Sequence, residues 1–235
     1  MPSFRILRWA AWAPGLPSQA HWLAWLKFRD PAALAGTVAP ALTELPPMIR
    51  RRLDPLGRAA LQVAFWAQGA ESTGPVVFAS RWGELARSVS LLRQLAQDEP
   101  LSPTVFSLSV HNANSAVYSI ARDDRANYSA VSAGPCSAAA GLCEALGLLA
   151  DGAPQVLVVS VESALPEPYQ SFESRALPLR AWAVLIENGD EICLDAAPSQ
   201  SDAQHELSPD LATLDFLVGT VPALQQSGWH WSRHG

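Results

Sequence analysis

Apolar positions along the chain follow two different periods, and their succession sets the expected order of elements. Trp22, Trp25 and Leu26 stand at i, i+3 and i+4, one face of a helix. Residues 31–57 carry five prolines and predict an irregular cover rather than a regular element. Arg58 to Gln68 is amphipathic at helical spacing. The short β-branched run Val76 to Ser80 then predicts a buried strand. Gly83 to Gln97 returns to helical spacing, with Leu85, Val89, Leu92 and Leu95 on the expected core face. Residues 98–115 are polar and loop-like, Ala116 to Arg122 predicts a short helix, and Tyr128 to Val131 a strand.

Ser137 to Ala150 is apolar on nearly every side, the pattern of a central buried helix. Val156 to Val161 is a continuous apolar run, as in a strand covered on both faces. Ala181 to Ile186 and Ile192 to Asp195 flank Asn188-Gly189, the strongest short hairpin signal in the chain. Residues 196–210 predict a polar insertion. Leu211 to Gln225 predicts a last helix, and Trp229-His230-Trp231 closes the chain. Alternating strands and helices of this kind predict an α/β layer structure. We divide residues 1–235 as a single domain, with 1–57 as a Trp- and Pro-rich N-terminal cover over an α/β core at 58–235.

Composition narrows the function classes. The chain has 235 residues, 49% hydrophobic, enough to bury a core without a metal or a disulfide. Charged residues make up only 16%. That scarcity fits either a buried oligomer face or a plain Ala, Pro and Trp bias. Net charge is −6 and there is no basic run, which argues against nucleic-acid binding. The short Arg50-Arg51-Arg52 run is either a solvated helix end or a landing point for an acidic partner. Cys136, Cys143 and Cys193 follow neither a disulfide nor a metal-ligand spacing, so reduced thiols, no metal and no cofactor are expected. No apolar run reaches the ~20 residues of a bilayer span, and a cytoplasmic location is expected.

One region has chemistry in its pattern. Ser102 to Ala113 reads SPTVFSLSVHNA, and Ser129 to Ser137 reads SAVSAGPCS and leads straight into the apolar helix. A strand that ends in a small-residue turn at a helix start is a device for raising a nucleophilic cysteine. These two stretches, together with Ala79 to Glu84, Gly141 to Ala145 and the C-terminal Trp-His-Trp-Ser-Arg, resemble the β-ketoacyl synthase-like family. The closer resemblance is to its short, chain-length-factor-like members from aryl polyene gene clusters.

The resemblance implies one half of a thiolase-like fold, a mixed sheet layered with helices. It also implies a non-catalytic subunit that pairs with a catalytic ketosynthase and works with an acyl carrier protein. The family's nucleophilic cysteine aligns with Pro135, and Cys136 falls one residue later, rotated by ~100° on a helical turn. The second half, which supplies the family's decarboxylating residues, does not follow. The expected pocket and interface residues are Ser109, His111, Asn112, Ser132, Gly134, Pro135 and Ser137, and the expected carrier-docking residues are Arg50, Arg51 and Arg52. The alternative from the enzyme class is an acyltransferase or hydrolase with Cys136 as nucleophile and His111 as base.

Overall fold

The computed structural model describes residues 2–70, 74–173, 176–196, 207–219, 221–226 and 228–234. The elements in chain order are β1 (Ser3–Trp12), α1 (Gln19–Phe28), α2 (Pro47–Arg50), α3 (Pro55–Gln68), β2 (Val76–Ala79), α4 (Leu85–Ala96), α5 (Pro103–Ser107) and α6 (Ala113–Arg122). They continue as β3 (Tyr128–Val131), α7 (Ser137–Ala150), β4 (Val156–Glu162), β5 (Arg180–Asn188), β6 (Ile192–Ala196), α8 (Pro209–Leu217), β7 (Ala223–Gln226) and β8 (Trp229–Arg233). The strands form an eight-stranded sheet in the order β3-β2-β4-β5-β1-β6-β8-β7. β2 runs parallel to β3 and β4, and the remaining pairs are antiparallel, so the sheet is mixed as expected.

Period-two burial along the central strands feeds two separate cores. Val77, Val158, Trp182, Val184 and Ile186 face α1, α7 and α8. Val76, Phe78, Leu157, Val159, Ala183 and Leu185 face α3 and Tyr118 of α6. The result is helix, sheet, helix, with β4 buried on both faces as its unbroken apolar run requires. Asp54 caps α3 by accepting from Gly57 N at 2.8 Å, and Pro55 fits the first helical position. That cap extends the helix one turn beyond the expected start at Arg58. The N-terminal tryptophans are core: Trp12, Trp22 and Trp25 are all buried.

Several expectations are corrected. Residues 3–12 are not part of a cover but form β1, inside the sheet between β5 and β6. A register shift between Ile6 and Arg8 leaves Leu7 extra. That bulge breaks the alternation from which a strand would have been read. The rest of the 31–57 stretch does cover the core, through Leu34, Leu42, Leu45 and Leu53. The expected hairpin at Asn188-Gly189 is not one, because β1 lies between its two strands. Phe4 pairs with Asn188 on one side and with Ile192 on the other. The chain therefore steps across the end of β1 and continues in the same direction.

Gly189 serves that step. A Cβ there would lie 2.8 Å from Arg5 Cβ and 3.0 Å from Arg5 N, against backbone that cannot move aside. Gly189→Val is expected to lower stability by roughly 1–3 kcal/mol, read by urea unfolding.

The helix expected over Leu211–Gln225 ends at Leu217, and Gly219 takes φ +86. Ala223–Gln226 is instead edge strand β7, with Leu224 and Gln226 turned inward. On α4 the inward residues are Val89 and Leu91, whereas Leu92 and Leu95 are exposed. α7 packs on β2, β4 and α8 but leaves Glu144 and Gly147 exposed, so it is not enclosed all round. The polar stretch 98–115 contains α5 and the start of α6. Most of the expected 196–210 insertion, including His205, lies outside the described residues.

Candidate functional site

Three parallel strands, β3, β2 and β4, deliver their C-terminal ends to one edge of the molecule, the position where α/β sheets gather functional loops. At its centre is the loop at residues 80–84 after β2. Arg81 N donates to Glu162 Oε1 at the end of β4 (2.7 Å), and Gly83 N donates to Ser80 Oγ (2.9 Å). His111 Nε2 donates to the Ser80 carbonyl (2.9 Å), and Ser132 Oγ donates to the Arg81 carbonyl (3.0 Å). Two of the sequence-predicted residues, one before α6 and one after β3, thus grip the same five-residue loop.

Gly83 is what lets His111 lie there. It takes φ +53, and a Cβ would stand 2.7 Å from His111 Cδ2. With Nε2–H committed to a carbonyl, only Nδ1 of His111 remains to act as a base. Ser109 lends its carbonyl to Ser88 Oγ (3.3 Å), and Asn112 lends its carbonyl to Ser115 Oγ (2.8 Å).

The turn after β3 is closed from within. The buried Ser137 Oγ accepts from Ala133 N (3.0 Å) and donates to the Gly134 carbonyl (2.7 Å). Gly134 takes φ +59, Pro135 is exposed, and Cys136 is half-buried at the cap position of α7. Pro135 is therefore more exposed than Cys136 on the turn. Arg50 Nη1 reaches the Ala41 and Leu42 carbonyls (3.2 and 3.3 Å), which ties it to the cover, while Arg51 and Arg52 are exposed. Among the described residues, no group of three His, Cys, Asp or Glu side chains is placed to hold a metal ion. Among the same residues, no helix is long and apolar enough to cross a membrane.

Two carboxyls hold this edge together: Glu84, which sequence reading did not single out, and Glu162, for which it weighs a cleft-facing role equally with a cap or ion-pair role. Glu84 accepts from Asn114 Nδ2 (2.9 Å) and Arg87 Nε (3.4 Å). Burial, then the charge and hydrogen bond of Asp54, push its pKa up to about 8. Glu162 is also pushed up to about 8, by burial first and then by the charge of Asp210. Asp210 itself is held low: burial opposes its charge, but Arg180 outweighs burial through two bonds, 2.7 Å from Nε and 2.9 Å from Nη2. Glu162 ends β4 and Glu84 stands five residues after β2, and nothing in the local sequence fixes the surroundings of either carboxyl. Trp82 was also missed. Its ring carries the Arg81 guanidinium 4.6 Å from its centroid and meets Phe172 edge-on at 6.4 Å.

A mixed sheet between two helical layers, with its loops gathered beyond the strand ends, defines a thiolase-like α/β unit. The chain belongs to the β-ketoacyl synthase, N-terminal domain family, whose profile matches residues 22–232. It is 32% identical to a chain in the solved structure of the ketosynthase ApeO in complex with its chain length factor ApeC, from Xenorhabdus doucetiae. That match covers 98% of this chain and 99% of the other, with a TM-score of 0.85. The ishigamide ketosynthase/chain length factor matches with a TM-score of 0.65 at 19% identity, over 83% of this chain and 67% of that one. A β-ketoacyl synthase from Burkholderia phymatum matches with a TM-score of 0.61 at 12% identity, over 86% and 66%. These last two share the fold. No curated protein gives a significant match.

Proposed function

We propose that this chain, as a single unit over residues 1–235, is the non-catalytic, chain-length-factor-like partner of a ketosynthase in aryl polyene-type carbon-chain extension. The observation that carries the reading is an open, apolar sheet edge. β3 is the terminal strand of the sheet on that side. Tyr128 on it is 41% exposed, and Ile120 on the adjacent α6 is 73% exposed. Phe106 on α5 and Val110 between α5 and α6 are exposed as well. A bare strand edge flanked by large apolar side chains is a template for pairing with another chain. The near-complete coverage in both directions with a chain of the ApeO–ApeC complex supports the same reading.

In this reading Ser109, His111, Asn112, Ser132, Gly134, Pro135 and Ser137 border the acyl pocket of the ketosynthase. Their hydroxyl and imidazole groups are spent on holding loops, so they give the pocket wall its shape. Pro135 offers a ring where a nucleophile would stand. The second partner is a cytoplasmic acyl carrier protein, met by the exposed Arg51 and Arg52.

The test is co-expression with the ketosynthase from the same gene cluster, followed by size-exclusion chromatography. The two chains are expected to co-elute. The Ile120→Glu/Tyr128→Glu double variant is expected to keep its melting temperature and weaken the complex at least about thirtyfold, as buried charges at an interface core do. Separate peaks for the wild-type chains, or an intact complex in the double variant, would overturn the reading.

Cys136→Ala is expected to leave the complex's elongation rate within about twofold of wild type, since in this reading Pro135 rather than Cys136 stands where a nucleophile would. Product analysis by mass spectrometry checks this. A loss of a hundredfold or more would return Cys136 and His111 to the role of nucleophile and base.

A further inference from the structure

A second site lies on the opposite helical layer. Where α1 ends and α8 begins, a cavity of about 230 Å³ is lined by Trp25, Phe28, Arg29, Leu34, Leu177 and Leu211, among others. We infer that this cavity binds a small amphipathic carboxylic acid, with its carboxylate on Arg29 and its apolar body against Trp25, Leu34, Leu177 and Leu211. The inference is independent of the ketosynthase partnership.

The backbone supplies the first argument. Arg29 follows α1 in the left-handed region (φ 54, ψ 32), and its N–H bonds to the Trp25 carbonyl. A glycine or asparagine would end the helix there with less strain. An arginine held at that position places a guanidinium in the wall of the cavity. The second argument is hydrogen bonding. A guanidinium offers five N–H donors. Arg29 Nη2 donates to Asp215 Oδ2 (2.5 Å), while Nε is buried with no hydrogen-bond partner among the described residues. The side chain keeps 35% of its surface exposed, so part of the fork is open to a ligand.

The apolar wall supplies the third argument. Trp25, Leu34, Leu177 and Leu211 are buried, and the Trp25 indole N–H is taken up by the Asp30 carbonyl (2.6 Å), which leaves that wall without a free donor. Phe28 also lines the cavity yet is 84% exposed. Such a wall with one cation, and with the Ser208 hydroxyl as a further polar group in the lining, calls for a ligand with one anionic end. The volume holds about eight water-sized units, which suits an acid of roughly six to eight carbons and excludes a nucleotide.

The probe is octanoate, with octan-1-ol as its neutral match, titrated into the full chain by isothermal calorimetry. Octanoate is expected to saturate one site, with octanol at least about tenfold weaker, the worth of one charge-assisted hydrogen bond. Arg29→Gln is expected to bring octanoate down to the octanol level, and Asp215→Asn to tighten octanoate by releasing Arg29 to the ligand. Leu207→Trp, a bulkier side chain at another lining residue, is expected to abolish both, with melting temperatures confirming that each variant is folded. Failure of octanoate to saturate at millimolar concentration overturns the inference. So does equal binding of acid and alcohol, or unchanged octanoate affinity in both Arg29→Gln and Leu207→Trp.

Discussion

Asp210→Asn is expected to destabilise the fold by about 3–5 kcal/mol, because it leaves a buried guanidinium without its counter-charge. Asp210 is buried in the first turn of α8, where the helix dipole already favours an anion. Both of its oxygens are taken by Arg180 of β5, and its carbonyl accepts from Trp182 Nε1 (3.1 Å). One side-chain pair therefore locks α8 to the sheet. Asparagine keeps a single acceptor and no charge. The charge of Asp210 also helps to keep Glu162 protonated, so in Asp210→Asn the neighbouring Glu162 is expected to ionise and stand in for it in part.

That coupling is testable by urea unfolding. Asp210→Asn/Glu162→Gln is expected to cost more than the two single changes added together. The apolar double Arg180→Met/Asp210→Leu is expected to cost far less than Asp210→Asn alone, since it removes both charges at once. A loss below about 1 kcal/mol for Asp210→Asn would mean that the pair carries no such role.

The elements legible in the sequence are those whose packing is local to one period. α1, α3, α7 and β4 each present an unbroken apolar pattern, and each forms where that pattern lies. What escaped depends on partners distant in sequence. Ser3–Trp12 carries a bulge and two arginines, so its strand character emerges only once β5 and β6 pair on either side of it. The same insertion turned the Asn188-Gly189 signal from a reversal into a step. Gly189 is required there for close approach to Arg5 rather than for a turn.

The candidate site divides in the same way. His111 and Ser132 could be singled out from the stretches that contain them. Their common target, the backbone at Ser80 and Arg81, is fixed by the parallel pairing of β2 with β3. Glu84 looks like an ordinary solvated carboxyl in sequence, and Glu162 reads equally as a cleft residue, a cap or an ion-pair partner; burial between elements remote along the chain sets the state of both.

Those two carboxyls give the protein a stability that falls as pH rises through neutrality. Each titrates near 4.5 in the unfolded chain and near about 8 in the folded one. Between these values the native state holds more protons than the unfolded state, so unfolding becomes easier with rising pH. Below 4.5 both states are protonated and the contribution is fully present. By about pH 8 it is spent. Asp215 is also raised, by burial that outweighs the opposing charge and hydrogen bond of Arg29, and adds a slope of the same sign. Asp210 is lowered and acts in the opposite direction, only under acid conditions.

The full linkage is ~1.4 kcal/mol per pKa unit, and relaxation of the loop at residues 80–84 reduces it. The expected loss from about pH 5.5 to about pH 8.5 is on the order of 2–4 kcal/mol for the two groups together. Glu84→Gln/Glu162→Gln is expected to flatten that slope, because glutamine keeps the acceptors for Asn114 and Arg81 and offers Asp54 a neutral donor in place of the proton. Urea midpoints across this pH range decide the matter. A wild-type protein equally stable at both ends, or a double variant with the wild-type slope, would show that the two carboxyls are already ionised in the folded chain. The clasp on the 80–84 loop would then be an ion network, and Arg87 and Arg180 would have to carry it.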